Sequence, residues 1–311
     1  MQLFKNKGVD KMHTPDGFLT NWVCVVTLII SLVAITVAVI SSRKWLTKQK
    51  AFLMAGLAAA IFGFQMLNFP IGDGTSGHLI GGAMVAILLG PHAAVLVLAV
   101  VLSIQAFVYG DGGVLALGAN IFNMGIVAGY TAYYTYKPLK KKFLMLSGVF
   151  ASFCSVVAAS ISCAFLLGIS GTILFVKVIP AMVLTHIFIG LGEGIITGGI
   201  LLYIKRTKHE LLDRREVPNL MKYVAVSFML AFLVTAFALP FASGDPDGLE
   251  QVALRLGFFE KATEIYTLSP MPDYTFLGQE RYLFVLIAGI IGMIMSFGLG
   301  YFVTKPLAIK T

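Results

Sequence analysis

Charge is scarce in this sequence. Only 12% of its 311 residues are charged, 23 basic against 15 acidic, where an ordinary soluble domain carries about 25%. That is too little polar surface to solvate a folded chain of this size, so a soluble enzyme is excluded. Cysteine is nearly absent as well. Cys24, Cys154 and Cys163 lie inside apolar runs with no Cys-x-x-Cys or Cys/His spacing, which excludes a disulfide framework and a zinc cage and leaves them as small core residues. There is no phosphate-binding P-loop, hence no sign of ATP hydrolysis by the chain itself, and no fixed-period repeat. The apolar runs lack a Ser/Lys dyad, a His-Glu-x-x-His motif and paired aspartates, which argues against an intramembrane enzyme. A net charge of +8 would suggest a polyanion ligand in a soluble protein. In a chain this apolar, excess Lys and Arg mark cytoplasmic loops instead, and no nucleic-acid partner is expected.

What the sequence has is hydrophobicity: 58% of residues and a mean hydropathy of +0.88. It falls in runs near the ~20 residues that one helical crossing needs, so the expected fold is an all-α integral membrane protein in contact with lipid. The first run, Trp22 to Ile40, is too long for a signal-peptide core and precedes Arg43, Lys44, Lys48 and Lys50, which places the amino terminus outside. Basic clusters at Lys137 to Lys142, at Lys205 to Arg215 and at Lys305 with Lys310 belong inside. The base-free turns Gly72 to Gly74 and Gly110 to Gly113 belong outside. Between those turns lies one apolar stretch, Leu79 to Tyr109, which must cross an even number of times. Gly90-Pro91 is the expected break, since glycine ends helices and proline opens them, giving helices from His78 to Leu89 and from Pro91 to Tyr109. With a second helix carrying Ala51, Ala55 and Ala59, and others over Val114 to Tyr136, Phe143 to Ile169, Val178 to Tyr203, Tyr223 to Leu239 and Tyr282 to Val303, nine helices are expected, with the carboxyl end inside. The linker Phe241 to Glu280 holds seven of the 15 acidic residues and belongs outside.

Ionisable groups inside a membrane are costly and mark pathways or pairs. His186 and Glu193 share one helix face two turns apart, either as a buried polar tie between helices or as a transport element. His92, beside the Gly-Pro break, reads as structural, and Asn120 and Asn123 as interhelical hydrogen bonders. His78 is placed outside after Gly72-Asp-Gly-Thr-Ser-Gly77, where its imidazole suits a borderline metal such as nickel, cobalt, copper or zinc. A second outer motif is Met12-His13-Thr14-Pro15-Asp16-Gly17-Phe18-Leu19.

That motif, with Gly74-Thr75-Ser76-Gly77-His78, Gly110-Asp111-Gly112-Gly113, Gly118-Ala119-Asn120-Ile121-Phe122-Asn123-Met124 and Gly192-Glu193-Gly194, resembles the CbiM/NikM family. These are substrate-binding components of energy-coupling-factor importers for cobalt or nickel. Asp245-Pro246-Asp247-Gly248-Leu249-Glu250 resembles the PDGLE domain, akin to the small CbiN/NikN subunit. The resemblance covers Met12 to about Val303 and implies a seven-helix body, residues 12–204, a cytoplasmic linker, 205–222, and a PDGLE domain, 223–311, with two membrane helices joined by the outer loop. It implies a flat four-nitrogen metal site made by the free amine of Met12, the amide and imidazole nitrogens of His13, and His78, with Pro15 and Gly17 bending the entering strand. Transported Co²⁺ or Ni²⁺ is the substrate and no cofactor is implied. Residues 1–11 precede Met12 as a leader that is absent or removed; with the leader retained, Met12 would offer a peptide nitrogen instead of an amine, and Asp16 or Asp73 become the next donors to examine. Thr14 stands where the family commonly has isoleucine.

The resemblance implies that the chain is not an enzyme and that two ATP-binding subunits and a transmembrane coupling subunit supply the energy. Small residues at a four-residue period, Ala51, Ala55 and Ala59, form a candidate docking face for the coupling subunit, with internal packing as the alternative. The competing function is a secondary metal transporter driven by an ion gradient, with its coupling site at His186 and Glu193. In the outer loop, Leu249, Val252, Leu256 and Phe259 at helical spacing after Asp247 predict a short amphipathic helix, on the membrane surface or over the metal entrance.

Overall fold

The computed structural model describes residues 12–207, 220–279 and 281–309. The expected leader and most of the expected cytoplasmic linker lie outside the described residues. The described residues are mainly helical, with one two-stranded hairpin among them. In chain order the elements are α1 (Asn21–Ser42), α2 (Lys48–Gln65), β1 (Phe69–Gly72), β2 (Thr75–Gly77), α3 (Gly82–Leu89) and α4 (Pro91–Ile104), which continues as a π-helical turn, Gln105–Tyr109. Then follow α5 (Leu117–Asn120), a π-helical stretch Ile121–Val127, α6 (Ala128–Leu139), α7 (Leu144–Ile169), α8 (Phe175–Thr207), α9 (Leu220–Ala238), α10 (Gly248–Leu256) and α11 (Tyr282–Thr304).

Six of the described helical segments are long and apolar enough to cross a membrane: Asn21–Ser42, Pro91–Tyr109, Leu144–Ile169, Phe175–Thr207, Leu220–Phe241 and Tyr282–Leu307. α1 is 28% buried over its most apolar window, whereas Pro91–Tyr109 is 78% buried. α1 therefore turns Val25, Ile29, Leu32 and Val33 outward, an apolar face suited to the membrane interior, and α4 is the central post of the bundle.

The break at Gly90-Pro91 is present. Gly90 has φ +100 and Pro91 sits at the start of α4, so one residue supplies the backbone twist and the next a preset helical φ. The expected helix from His78 is shorter than predicted: His78 to Gly81 are not helical, and α3 begins at Gly82. The expected helix from Val114 begins only at Leu117 and carries the π-helical stretch. The hairpin β1–β2, paired antiparallel with Phe69 opposite Gly77, was not foreseen, because two short strands leave no periodic signature.

Charge divides the molecule. Arg43, Lys44, Lys48, Lys50, Lys137, Lys140, Lys141, Lys142, Lys205, Arg206, Lys222 and Lys305 belong to helix ends and turns on one side, with no acidic residue there among the described residues. The described carboxylates, Glu193 apart, lie at the other end.

The expected two-helix appendage is part of the bundle, for α9 and α11 both lie along α2. A methyl placed on Gly300 of α11 would stand 3.4 Å from Ala55 Cα, and Thr304 Oγ1 donates to Ala51 O at 3.4 Å. Ala51, Ala55 and Ala59 have no exposed surface. The small-residue face is thus occupied within the chain by α11, the internal-packing alternative, and is not open to a coupling subunit. Sequence could not distinguish these, since close helix approach needs small residues whichever chain supplies the partner. Ala55→Trp is expected to drive α11 off α2 and cost about 3 kcal/mol, the upper end of overpacking, read as a lowered unfolding temperature of the detergent-solubilised protein.

Candidate metal centre

The amino-terminal segment enters the acidic end of the bundle as irregular backbone, buried from Met12 to Asp16. Each of its polar groups needs a partner there. The Asn120 side chain supplies two: Thr14 N donates to Asn120 Oδ1 and Asn120 Nδ2 donates to Thr14 O, both at 3.1 Å. Asp16 accepts from Val114 N at 3.2 Å and Ala116 N at 3.0 Å, bracing the start of α5. Gly112, at φ +84, lets the loop pass close enough that a Cβ there would lie 2.9 Å from His13 Cβ. The expected bend is present, with Gly17 at φ +88.

His78 arrives from the opposite side, between β2 and α3. Its loop is held by two fully buried side chains. Glu193 on α8 accepts from Ile80 N at 2.7 Å and Gly81 N at 3.1 Å, and Gln65 on α2 donates to Ile80 O at 2.9 Å. Glu193 therefore satisfies donors ahead of α3, where a carboxylate is favoured by the helix dipole. His186 Nδ1 donates to Met182 O at 2.7 Å. His92 bonds Tyr130 at 3.0 Å, and Asn123 accepts from Ser162 at 2.6 Å, both as the structural roles expected.

His13 and His78 meet, with ring centroids 5.3 Å apart. His13 is buried and its Nε2 lies 2.9 Å from Gln105 Oε1. The Nδ1 atoms of both rings are buried and, among the described residues, have no hydrogen-bond partner, a costly state for a polar nitrogen. Burial, with His13 and His186 nearby, holds the His78 pKa well below the usual imidazole value, which keeps its lone pair. Met12 N, the third predicted donor, donates to Asp111 Oδ1 at 2.9 Å.

The outer loop covers this place. α10 is capped by Asp247, which accepts from Glu250 N at 2.8 Å, and Leu249 and Val252 are buried in a cluster with Phe18 and Phe258. Of the two expected locations it takes the one over the histidines. Asp247 Oδ2 lies 3.6 Å from His78 Nδ1, and burial, reinforced by Glu250 and Asp111, pushes the Asp247 carboxyl well above its ordinary value. Gln105, Asp111, Asp247 and Tyr274 border the histidines and were missed as site residues. Asp111 and Asp247 had been quoted within motifs, but nothing local marks Gln105 or Tyr274. The alternative donors do not face the site: Asp16 is bonded to backbone as above, and Asp73 pairs with Arg255 at 2.6 Å on the surface.

Among the described residues, no group of three or more His, Cys, Asp and Glu side chains is arranged to hold a metal ion. A metal between these rings would need backbone nitrogen beside the two imidazoles, a nitrogen-rich set suited to Ni(II), Co(II) or Cu(II).

Residues 13–211 match the family model described as CbiM, cobalt uptake substrate-specific transmembrane region, and residues 221–308 match the PDGLE domain. A protein of Archaeoglobus fulgidus provisionally named fused nickel transport protein NikMN is 36% identical over 298 residues, 94% of this chain and 98% of that one. The cobalt transport protein CbiM of Sorangium cellulosum is 33% identical over 67% of this chain and 98% of its own length. The crystal structure of a truncated transition metal transporter, 34% identical, superposes with a TM-score of 0.58 over 63% of this chain and 99% of that chain. With the family model spanning more than half its length, the protein belongs to the CbiM family of metal-uptake membrane proteins and carries a PDGLE domain fused behind it.

Proposed function

We propose that the protein is the substrate-capture component of an ATP-driven importer of the energy-coupling-factor type, taking Co²⁺ or Ni²⁺ from outside the cell. The observation that carries this reading is the pair of buried Nδ1 atoms on His13 and His78, neither hydrogen-bonded, brought together from distant parts of the sequence at one end of a membrane bundle. The names of relatives, which cite nickel and cobalt transport, support the cargo. The site end is the outer one because the opposite end gathers the Lys and Arg clusters.

In the proposed capture step, the nitrogen of Met12, the amide and Nδ1 of His13 and an imidazole nitrogen of His78 surround the ion. His13 Nδ1 and its own amide nitrogen are separated by three carbons, so both can bind one ion in a six-membered chelate ring. Energy would come from two ATP-binding subunits and a transmembrane coupling subunit, whose docking surface lies elsewhere than Ala51, Ala55 and Ala59. The gradient-driven alternative loses its proposed coupling site: both Glu193 carboxylate oxygens hold the His78 loop, and His186 Nδ1 is engaged with its own helix.

Three outcomes are expected. His13→Ala and His78→Ala each reduce Ni²⁺ or Co²⁺ affinity beyond the ~10–100-fold typical of losing an outer partner, by isothermal titration of the purified protein, with little change in thermal unfolding because neither side chain ties helices together. A protein beginning at Met12, verified by intact mass, binds Ni²⁺ more tightly than one retaining residues 1–11; equal affinity rejects amine ligation. Cells accumulate metal when the chain is produced with ATP-binding and coupling subunits and lose most of that uptake without them, whereas undiminished uptake abolished by a protonophore returns the gradient-driven reading.

A further inference from the structure

The fused C-terminal domain reaches the candidate site at a second point, through one hydroxyl. Tyr274 is buried, and its OH donates to Asp111 Oδ2 at 2.6 Å. The Tyr274 hydroxyl oxygen in turn accepts from Gln105 Nε2 at 3.2 Å. These two contacts fix the proton order of everything beyond them. A carboxylate oxygen can only accept, so the Tyr274 O–H is spent on Asp111, the phenol oxygen is left with its lone pairs and Gln105 must turn its NH₂ toward it. The Gln105 carbonyl then faces His13 Nε2 at 2.9 Å, and two acceptors cannot bond, so that nitrogen carries the proton. A neutral imidazole has only one, which leaves Nδ1 as a bare lone pair. That is the buried, unpartnered atom. The other oxygen of Asp111 meanwhile holds Met12 N at 2.9 Å, so one carboxylate anchors the nitrogen of residue 12 and the start of the relay to His13.

The delivery of this hydroxyl is built in. Asp273 and Tyr274 stand in succession at φ +51 and +56, a left-handed conformation that non-glycine residues adopt at a cost and that persists where the surroundings demand it. The Tyr274 ring stacks on Tyr109 at 4.7 Å and meets Phe62 at 6.0 Å. The Tyr109 hydroxyl is anchored on α11 at Ala288 O, 2.7 Å away, and Met271 N donates to Val108 O at 2.9 Å. The ring is thus held between the π-helical turn after α4, α2 and its own loop, with its oxygen at the one place where Gln105 and Asp111 can both use it.

We propose that Tyr274 is a positioning residue of the metal site: by orienting the Gln105 amide it locks His13 in the tautomer whose Nδ1 is open to a metal ion. The proposal rests on the capture site described above. Without the hydroxyl, Gln105 is free to reverse its amide and offer NH₂ to His13. The ring then accepts at Nε2, carries its proton on Nδ1, and the metal must displace it. The C-terminal domain, by this account, contributes to capture by fixing a proton, with no ligand of its own required.

The test uses the purified full chain in detergent, labelled with ¹⁵N-histidine and free of metal, at neutral pH, and reads each ring by long-range ¹H–¹⁵N correlation. In the unaltered protein His13 is expected as the Nε2–H tautomer alone. In Tyr274→Phe, which keeps the stacked ring, the Nδ1–H form should appear and Ni²⁺ affinity should fall by about 10–100-fold, as for other partners that orient a ligand. Tyr109→Phe, which loses a hydroxyl bonded only outside the relay, should leave the His13 tautomer unchanged. Unshifted His92 signals, from the opposite end of the bundle, show that the fold is kept. If Tyr274→Phe retains a pure Nε2–H ring at His13, or the unaltered protein shows Nδ1–H, the proposal is overturned whatever the metal does. If the tautomers behave as expected but Ni²⁺ binding ignores both His13→Ala and Tyr274→Phe, the capture site itself is wrong, and the role given to Tyr274 falls with it.

Discussion

Backbone that leaves a helix inside a membrane bundle has no water to satisfy it, and the architecture of this protein follows from that constraint. Its non-helical segments at the acidic end, Met12 to Leu19, His78 to Gly81 and Gly110 to Gly113, each find a buried side chain. Asn120 takes Thr14, Asp16 takes the residues ahead of α5, Glu193 and Gln65 take Ile80 and Gly81, and Asp111 takes Met12. An irregular backbone held this fully can present a side chain as rigidly as a helix does. The two histidines are presented in this way, and their open nitrogens are the exception to a pattern in which nearly every neighbouring polar group is paired.

The helices around the site depart from regularity where it requires them to. The π-helical turn at Gln105–Tyr109 ends α4 next to His13, and the one at Ile121–Val127 follows Asn120 directly. Such insertions rotate the following side chains without breaking the helix, and they concentrate at functional positions. Here Asp111 N bonds back to Gln105 O at 3.0 Å, which folds the glycine-rich loop over the amino-terminal segment. The C-terminal domain closes the remaining side. Its helices are fixed along α2 and its loop lies over His78, so the two matched families form one packed body around the histidines.

The alanine stripe and the Gly-Glu-Gly motif show where reading from sequence stops. A period of four small residues states that something approaches α2 closely, and the answer, α11, lies more than two hundred residues away in the chain. Glu193 in an apolar run states that a carboxylate is buried, and both a proton path and a structural tie fit that statement until its two backbone donors are seen. Gln105 and Tyr274 carry no signal at all: a glutamine in an apolar helix and a tyrosine in a polar loop are ordinary, and their meaning arises only from a hydrogen-bonded chain linking positions far apart in sequence.

Hydropathy, the distribution of Lys and Arg, and Gly90-Pro91 were enough to determine a membrane-embedded helical protein, its break between α3 and α4 and the separation of its charged ends, because each depends on local composition or on one residue's backbone. The histidine motifs named the pair that would meet. Which nitrogens stay open, which carboxylates stand beside them, and that α9 to α11 belong to the bundle were decided by tertiary structure alone. Those outcomes depend on distances between groups remote in sequence, and on which of several equivalent polar partners is left unpaired once the rest are satisfied.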